Sequence, residues 1–305
     1  MVRPHHSLLP HHGRYDYSGI TGRPVYDWPH GKRLAVYIGL NLEHFAFGEG
    51  LGAELAPSHQ PDVLNYSWRD YGNRVGAWRL LELLQALRFP ASVLLNASLY
   101  DYAPDLVAGF RTRGDEIVGH GRSNSERQGT LAEAAEQALI ADATERIRAA
   151  EGRQPGGWLG PWISESAVTP DLLAEAGYRY LLDWAMDDQP IFLRVRNGGR
   201  ILAVPYPQEL NDIPAIAVRK AGGAEFADMI VDTFDEMLDQ SIDAPLVMGI
   251  ALHAYLVGHP HRLRHLRRAL AHIAAARERI WVTTAGAIAD HCYALPAAIV
   301  PGSAP

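Results

Sequence analysis

Eight short apolar runs recur along the chain, and they constrain its fold more than any other feature of the sequence. In order, they are LAVYIGL (34–40), ASVLLNA (91–97), EIVGHG (116–121), GGWLGPW (156–162), YRYLLDW (178–184), ILAVPYP (201–207), PLVMGIALH (245–253) and IWVTT (280–284). Runs that are apolar at nearly every position are typical of strands buried on both faces, as in a parallel sheet. Amphipathic helical patterns lie between most of them, so the alternation predicts an α/β fold, either a (β/α) barrel or a doubly wound sheet.

The domain organisation follows from length and from what interrupts the pattern. The 305 residues could form two domains, but (β/α) barrels often exceed 250 residues as one domain. We find no internal repeat and no low-complexity linker. The sequence therefore predicts an N-terminal arm over 1–30 and a single domain over 31–295.

Charge and composition narrow the class of partner. The formal net charge is −7, which disfavours nucleic acid and anionic membranes as partners. No apolar run is long enough to span a bilayer, and the first residues lack the continuous apolar segment of a signal peptide. Cys292 is the only cysteine, which suits a reducing compartment. We therefore expect a cytoplasmic protein that acts on a small molecule.

One connection is unusually long. Residues 45–72 follow the first predicted strand and contain several glycines. Loops of this length in compact domains usually close over or bind a ligand. We interpret this segment as a lid.

Polar side chains with acid–base chemistry stand where four predicted strands end: Glu43, His120, Asp183 and His253. In α/β folds the carboxyl ends of strands form the active site. Taken singly, each residue is better explained as an ordinary loop residue or cap. Together, carboxylates and imidazoles that converge on one pocket are what acid–base hydrolysis requires.

From about residue 25 to about residue 292 the chain resembles the polysaccharide deacetylase superfamily. Within it, the chain is similar to the branch that contains the cofactor-independent allantoinases. The stretches that carry the resemblance are WPHGKRLAVYIGLNLEH, YGNRVGAWRLLELL, GHGRSNSERQ, GGWLGPWISESAVTPDLLAEAGYRYLLDWAMDDQP, VPYPQELNDIP and ALHAYLVGHPHRLRHLRRAL. The resemblance implies a deformed (β/α) barrel of about seven strands, hydrolysis of a non-peptide carbon–nitrogen bond, and a homo-oligomer.

Carried over residue by residue, the resemblance is partial. Asn41 stands where the metal-dependent members have an aspartate base, and Glu43 stands where they have a metal-binding aspartate. Of two expected histidines one helical turn apart, His120 is present and Asn124 replaces the other. The Leu-His pair that ends in His253 is retained, and the resemblance implies that this histidine protonates the leaving group.

The replacement of a histidine by Asn124 bears on the cofactor. Glu43, His120 and Asn124 would be a poor zinc set, because an amide oxygen is a weaker ligand than imidazole. We therefore favour no cofactor, with a single divalent cation such as Zn²⁺ or Mn²⁺ as the alternative. Without a metal to activate water, an activated ring amide is a more accessible substrate than an acetamide.

Three hypotheses follow. The first is a hydrolase of a small amide or cyclic ureide, with Glu43 as base and His253 as acid, oriented by Asp183. The second is a metal-dependent N-deacetylase of sugars, and the third is a non-catalytic binding protein, supported by Asn41 at the usual base position. In the first, the substrate-binding residues would be Asn41, His120, Asn124, Trp158, Trp162 and Trp184.

Overall fold

The protein is built on one nine-stranded sheet in the part of the chain, residues 10–48, 59 and 61–304, that a computed structural model describes. The order along the sheet is β6-β7-β5-β4-β3-β2-β1-β8, and all neighbours are parallel except β6 and β7. The strands are β1 (Leu34–Leu42), β2 (Ala91–Leu95), β3 (Glu116–Gly119), β4 (Gly157–Trp158), β5 (Tyr180–Leu181), β6 (Ile191–Arg194), β7 (Arg200–Ala203), β8 (Leu246–His253) and β9 (Trp281–Thr283).

Helices connect the strands and cover the outer face of the sheet. The α-helices of the described residues are α1 (Val63–Tyr71), α2 (Ala77–Leu87), α3 (Leu99–Tyr102), α4 (Pro104–Arg113), α5 (Glu133–Glu151), α6 (Thr169–Glu175), α7 (Gly223–Gln240), α8 (Ala254–Val257), α9 (Pro260–Ala275) and α10 (Ala285–Ala294). The same described residues contain two π-helical turns, Gly72–Gly76 and Ile213–Val218. The six 3₁₀ turns in the described part of the chain lie at Ile20–Gly22, Pro29–Gly31, Gln128–Thr130, Pro161–Ile163, Arg196–Gly198 and Arg277–Arg279. None of the described helices is long and apolar enough to cross a membrane.

The α/β prediction is confirmed, and the curved, mainly parallel sheet is that of a deformed (β/α) barrel. The strand ladder does not close between β8 and the opposite end of the described sheet. Instead, the segment after β7 runs beside β8, where Asn211 forms a bridge with Ala251 and the Ala251 amide donates to the Leu210 carbonyl at 2.9 Å. Residues of this segment therefore reach the same end of the barrel as the carboxyl ends of the strands.

Strand β1 is the centre of the sheet. It pairs with β8 along one edge, and with β9 and then β2 along the other. All nine of its residues are buried, which explains why the sequence is apolar without alternation. Even-numbered residues such as Val36 and Ile38 pack against the helices, whereas Ala35 and Tyr37 belong to an inner cluster. Since side chains alternate along a strand, this register turns Asn41 and Glu43 inward.

Residues outside the predicted domain bounds also pack on the barrel. In the N-terminal arm, Arg14 pairs with Asp171, and the buried Trp28 donates to the Leu246 carbonyl. The Phe192 amide donates to the carbonyl of Pro301, beyond the predicted end. Of the predicted lid, residues 61–72 contain α1, and most of 49–60 lies outside the described residues.

Substitution of Gly157 in β4 tests how closely the inside of the barrel is packed. A Cβ atom at Gly157 would overlap the ring of Tyr180, whereas one at the adjacent Gly156 would meet that ring at an ordinary 3.9 Å. We expect Gly157→Ala to lower the free energy of unfolding by at least about 2 kcal/mol, because an added methyl group forces the core apart. The matched control Gly156→Ala should change it by less than about 1 kcal/mol. Urea denaturation of both variants measures the change in the free energy of unfolding. Equal changes in the two variants would contradict the close packing at Gly157.

Candidate active site

A cavity of about 290 Å³ opens at the carboxyl ends of the inner strands. Four of the predicted site residues at strand ends or just beyond them, Asn41, Glu43, His120 and His253, contribute to its wall. The other lining residues are Arg69, Asn124, Leu159, Trp162, Ile163, Tyr206, Gln208, Asn211, Ile213, Pro214, Val218 and Tyr255. The predicted convergence of Glu43, His120 and His253 therefore exists in the fold.

Glu43 lies between the two histidines. Its Oε1 atom is 3.5 Å from Nε2 of His253 and 3.8 Å from Nε2 of His120, and it accepts a 2.6 Å hydrogen bond from Nδ2 of Asn124. Its Oε2 atom is buried and has no hydrogen-bond partner among the described residues. One carboxylate oxygen is thus held by the protein, and the other is left without a hydrogen-bond donor among the described residues.

A chain of hydrogen bonds that starts at the backbone of His44 fixes the orientation of the Asn124 side chain. The His44 amide donates to Oδ1 of Asn96 at 2.8 Å, so Nδ2 of Asn96 faces the other way and donates to the His120 carbonyl and to Oδ1 of Asn124. Because Oδ1 of Asn124 is taken up in this contact, its amide nitrogen must face Glu43. Asn124 is therefore a hydrogen-bond donor to the carboxylate.

This arrangement does not fit the metal that the superfamily implies. A metal ligand must offer a lone pair, yet Asn124 turns N–H groups toward Glu43, the residue with which it would share the ion. Among the described residues, no group of three or more His, Cys, Asp or Glu side chains has an arrangement that could hold a metal. In this orientation the set Glu43, His120 and Asn124 does not fit a metal ion, and Asn124 instead stabilises the ionised form of Glu43.

His253 is oriented by Asp212, which the sequence analysis missed. Nδ1 of His253 lies 2.6 Å from Oδ1 of Asp212, and Oδ2 of Asp212 accepts from the His253 amide at 2.8 Å. Asp212 is fully buried. The carboxylate therefore keeps a proton on Nδ1 and directs Nε2 toward Glu43. The expectation that Asp183 orients His253 is wrong, because Asp212 arrives on the segment after β7 and occupies that position.

His120 is held by a different contact. Its Nδ1 atom lies 2.7 Å from the carbonyl of Leu159, so Nδ1 carries the proton. Its Nε2 atom is buried and without a partner among the described residues. The ring thus presents an unpaired nitrogen to the cavity beside Glu43.

The electrostatics separate the roles of Glu43 and His253. Burial by itself would raise the pKa of Glu43, but His253, His120 and Arg69 outweigh it and hold that pKa below its usual value of 4.5. Burial would lower the pKa of His253, but Asp212 and Glu43 outweigh it and raise that pKa above 6.5. Between pH 4.5 and pH 6.5 the site therefore holds the ionised carboxylate of Glu43, a base, next to the protonated imidazole of His253, an acid.

Asn41 and Trp162 line the cavity, as predicted for substrate-binding residues. Nδ2 of Asn41 donates to the Tyr206 hydroxyl at 2.8 Å and to the Leu252 carbonyl at 3.1 Å, which ties β1 to β8. Trp162 adopts a left-handed backbone (φ 65°), and its indole nitrogen donates to the Asn124 carbonyl at 2.9 Å. Their contact with a substrate remains a prediction.

Trp158 and Trp184 do not reach the cavity. Trp158 is fully buried among the residues between sheet and helices, where its indole donates to Oε1 of Gln128 at 3.1 Å. The next residue, Leu159, faces inward in its place. Trp184 packs against His12 and Tyr15 of the arm. The prediction that these two tryptophans form apolar walls of the site is wrong for this cavity.

Asp183 belongs to a separate acidic cluster. Its Oδ1 atom accepts from the Gly160 amide at 2.8 Å, and burial together with the nearby Glu165 raises its pKa well above the usual value. Glu165 accepts from the Trp184 indole at 2.8 Å, and burial beside Glu136 raises the pKa of Glu165 to about 7. Oδ2 of Asp183 and Oε1 of Glu165 have no partner among the described residues. This cluster destabilises the fold when both acids are ionised.

Arg69 is a further cavity residue that sequence reasoning missed. It lies on α1, within the segment predicted to form a lid, and is 4% exposed. An arginine in a polar stretch such as NYSWRDYG carries no local signal of burial. Only the packing of α1 over the barrel end brings it to the site.

A scan of the sequence against models of known protein families finds no match. A candidate polysaccharide deacetylase of Schizosaccharomyces pombe is 26% identical, over 90% of this chain and 95% of that protein. The solved structure of a Puue allantoinase superposes with a TM-score of 0.79 at 26% identity, over 92% of this chain and 98% of the other. That of a candidate polysaccharide deacetylase from Pseudomonas aeruginosa PAO1 has a TM-score of 0.79 at 25% identity, over 90% and 97% of the two chains.

These similarities, together with the barrel and its site, define the class of protein as a hydrolase built on a deformed (β/α) barrel. More specifically, the names of its relatives and its structural neighbours support the polysaccharide deacetylase superfamily.

The acidic cluster generates a prediction about stability. Because the pKa of Glu165 is raised in the folded protein, folding favours its protonated form, and stability falls as pH rises from about 4.5 to about 7. Glu165→Gln should remove this loss, so that the fall in unfolding free energy between pH 5 and pH 8 shrinks by on the order of 2 kcal/mol.

Denaturant titrations at the two pH values measure the effect. Glu175→Gln is the control, because the pKa of this exposed carboxylate is lowered and its titration lies below the range tested. An unchanged pH dependence in Glu165→Gln would contradict the buried acidic pair.

Proposed function

We propose that this protein hydrolyses the carbon–nitrogen bond of a small amide or cyclic ureide, without a metal ion. The observation that carries the proposal is the position of Glu43: its side chain lines the cavity, its Oε2 atom has no hydrogen-bond partner among the described residues, and its other oxygen lies close to Nε2 of both histidines. A base with an open lone pair and an acid directed by a buried carboxylate are the two groups that amide hydrolysis requires.

The residues support a specific division of labour. Glu43 accepts a proton from a water molecule, whose oxygen then attacks the carbonyl carbon. His253 gives the proton on Nε2 to the departing nitrogen as the C–N bond breaks, and Asp212 stabilises the imidazolium beforehand. Glu43 afterwards passes its proton to His253, so that both residues return to their starting state, and the new carboxylic acid releases its proton to solvent. The products are a carboxylate, a proton and an N–H group, so the atoms and charges balance.

Two features favour a small, activated substrate. The cavity of about 290 Å³ suits a ring-sized molecule better than a polymer. Because Asn124 turns its N–H groups toward Glu43, the proposed nucleophile relies on a carboxylate base alone, which suits a strained or activated ring amide such as a hydantoin. The similarity to an allantoinase structure supports the same substrate class.

The deacetylase names of other relatives favour a second candidate, N-deacetylation of a sugar. The two candidates differ in their product and in their dependence on metal. Release of acetate from N-acetylglucosamine oligomers, abolished by a chelator, would support deacetylation. Opening of allantoin or hydantoin, unaffected by the chelator, would support our proposal. Ligand-induced thermal stabilisation without any turnover would instead indicate a binding protein.

Substitution of the two proposed catalytic residues tests the assignment. Glu43→Gln and His253→Gln should each lower kcat by about 10³-fold or more, because each removes a proton-transfer group. Far-ultraviolet circular dichroism checks that the variants fold. Full activity of both variants on the substrate turned over by the wild type would refute the roles.

The pH profile tests Asp212 against Asp183. We expect a bell-shaped profile of kcat/KM, with an acid limb below pH 4.5 from Glu43 and an alkaline limb above pH 6.5 from His253. Asp212→Asn removes the negative charge that raises the pKa of His253, so the alkaline limb should move to lower pH. Asp183→Asn should leave that limb in place. The opposite result would restore Asp183 as the orienting residue.

A further inference from the structure

Among the described residues that line the cavity, Arg69 is a cation that neither the fold nor the proposed proton transfers use. It is 4% exposed, and its Nε and Nη1 atoms are buried without a hydrogen-bond partner among the described residues. Two partly buried arginines of the protein behave differently. Arg113 and Arg23 form ion pairs with Asp115 and Asp187 at 2.8 and 2.6 Å.

The surroundings of Arg69 hold its position and leave its hydrogen-bonding groups open. The centre of its guanidinium lies 3.6 Å from the ring centroid of Phe45, and 5.4 and 5.5 Å from those of Tyr255 and Trp162. Cation–π contacts of this kind are attractive, but ring faces offer no acceptors in the plane of the guanidinium. The group is therefore held in place, with its Nε and Nη1 atoms unpaired.

An unpaired buried charge is unfavourable. Burial lowers the pKa of Arg69, against the opposing influence of Tyr255 and Glu43, yet an arginine stays protonated under any physiological condition. A buried guanidinium without acceptors is strongly destabilising. Anionic oxygens are the partners that best satisfy it, and the cavity is the direction from which such a partner can come.

We propose that Arg69 binds an anionic oxygen of the ligand in this cavity. The inference rests on the proposed function for the nature of the ligand. That oxygen has two chemical sources: a carboxylate that the intact substrate already carries, or the oxygen of the scissile acyl group, which becomes a carboxylate on hydrolysis. In the first case Arg69 selects acidic ureides, and in the second it stabilises charge as it forms.

Binding of three small probes separates these cases without any turnover. Hydantoin is neutral, hydantoin-5-acetate is an intact ring that carries a carboxylate, and N-carbamoylglycine is the ring-opened carboxylate of hydantoin. We expect the wild-type protein to bind at least one anion by isothermal titration calorimetry. Arg69→Met should weaken that binding by at least about tenfold, because it removes a charge-assisted hydrogen bond. The affinity of Arg69→Lys for the anion should lie between those of the wild type and Arg69→Met. The affinity for neutral hydantoin should differ from that of the wild type by less than about threefold.

The pattern of affinities for the three probes identifies the source of the anionic oxygen that Arg69 binds. Affinity for hydantoin-5-acetate that depends on Arg69 indicates a carboxylate on the substrate, whereas affinity confined to N-carbamoylglycine indicates the acyl oxygen. If the wild type binds neither anion, or if Arg69→Met binds both as tightly as the wild type, the inference is overturned.

Stability of the ligand-free protein distinguishes a binding role from a structural one. Arg69→Met should melt at the same temperature as the wild type or higher, because it replaces an unpaired buried charge with an apolar group of similar length. The matched control Arg113→Met should melt lower, because it leaves buried Asp115 without its partner. A comparable drop in both variants would make Arg69 structural and overturn the inference.

The inference and the proposed function can fail separately. A protein that binds the anions through Arg69 but hydrolyses no ureide would refute only the proposed function. A protein whose turnover depends on Glu43 and His253, with anion binding insensitive to Arg69, would refute only the role of Arg69.

Discussion

The central strand β1 is the element on which the rest of the structure depends. It pairs with three other strands and is buried along its whole length, so neither its register nor its facing can shift without disturbing the core on both sides. This rigidity is what places Glu43 at the barrel end with its side chain inward. A carboxylate at the end of a mobile loop could not be held 3.5 Å from one histidine nitrogen and 3.8 Å from another.

Around Glu43 the protein uses neutral amides where a metal site would use ligands. A chain of contacts runs from the His44 backbone through Asn96 to Asn124 and ends on the carboxylate. Each amide has one donor end and one acceptor end, so fixing the first fixes all of them. The chain delivers an N–H group to Glu43, which favours its ionised form. Asp212 in turn favours the protonated form of His253.

The site is also where the protein tolerates unsatisfied polar groups. Oε2 of Glu43, Nε2 of His120 and two nitrogens of Arg69 are buried without partners among the described residues, and all three residues border one cavity. Buried polar atoms are otherwise almost always paired. Their concentration in one place is expected where stability is exchanged for readiness to bind or react. The acidic pair Asp183 and Glu165 shows that such groups also occur outside the cavity. Unpaired buried atoms therefore identify the site only where their residues also line the cavity.

The sequence by itself determined the fold class and the first members of the site. Strands buried on both faces and amphipathic helices leave local periodic patterns, and the carboxyl ends of parallel strands share one edge of the barrel, so Glu43, His120 and His253 could be grouped in advance. The same patterns are apolar on both faces, so they could not show that Trp158 turns outward while Leu159 turns inward. Only the tertiary structure decided which carboxylate meets His253, how Asn124 is turned, and that Arg69 is buried. These depend on contacts between residues distant in the chain, such as Asp212 with His253 and Asn96 with Asn124, for which a linear sequence carries no local signal.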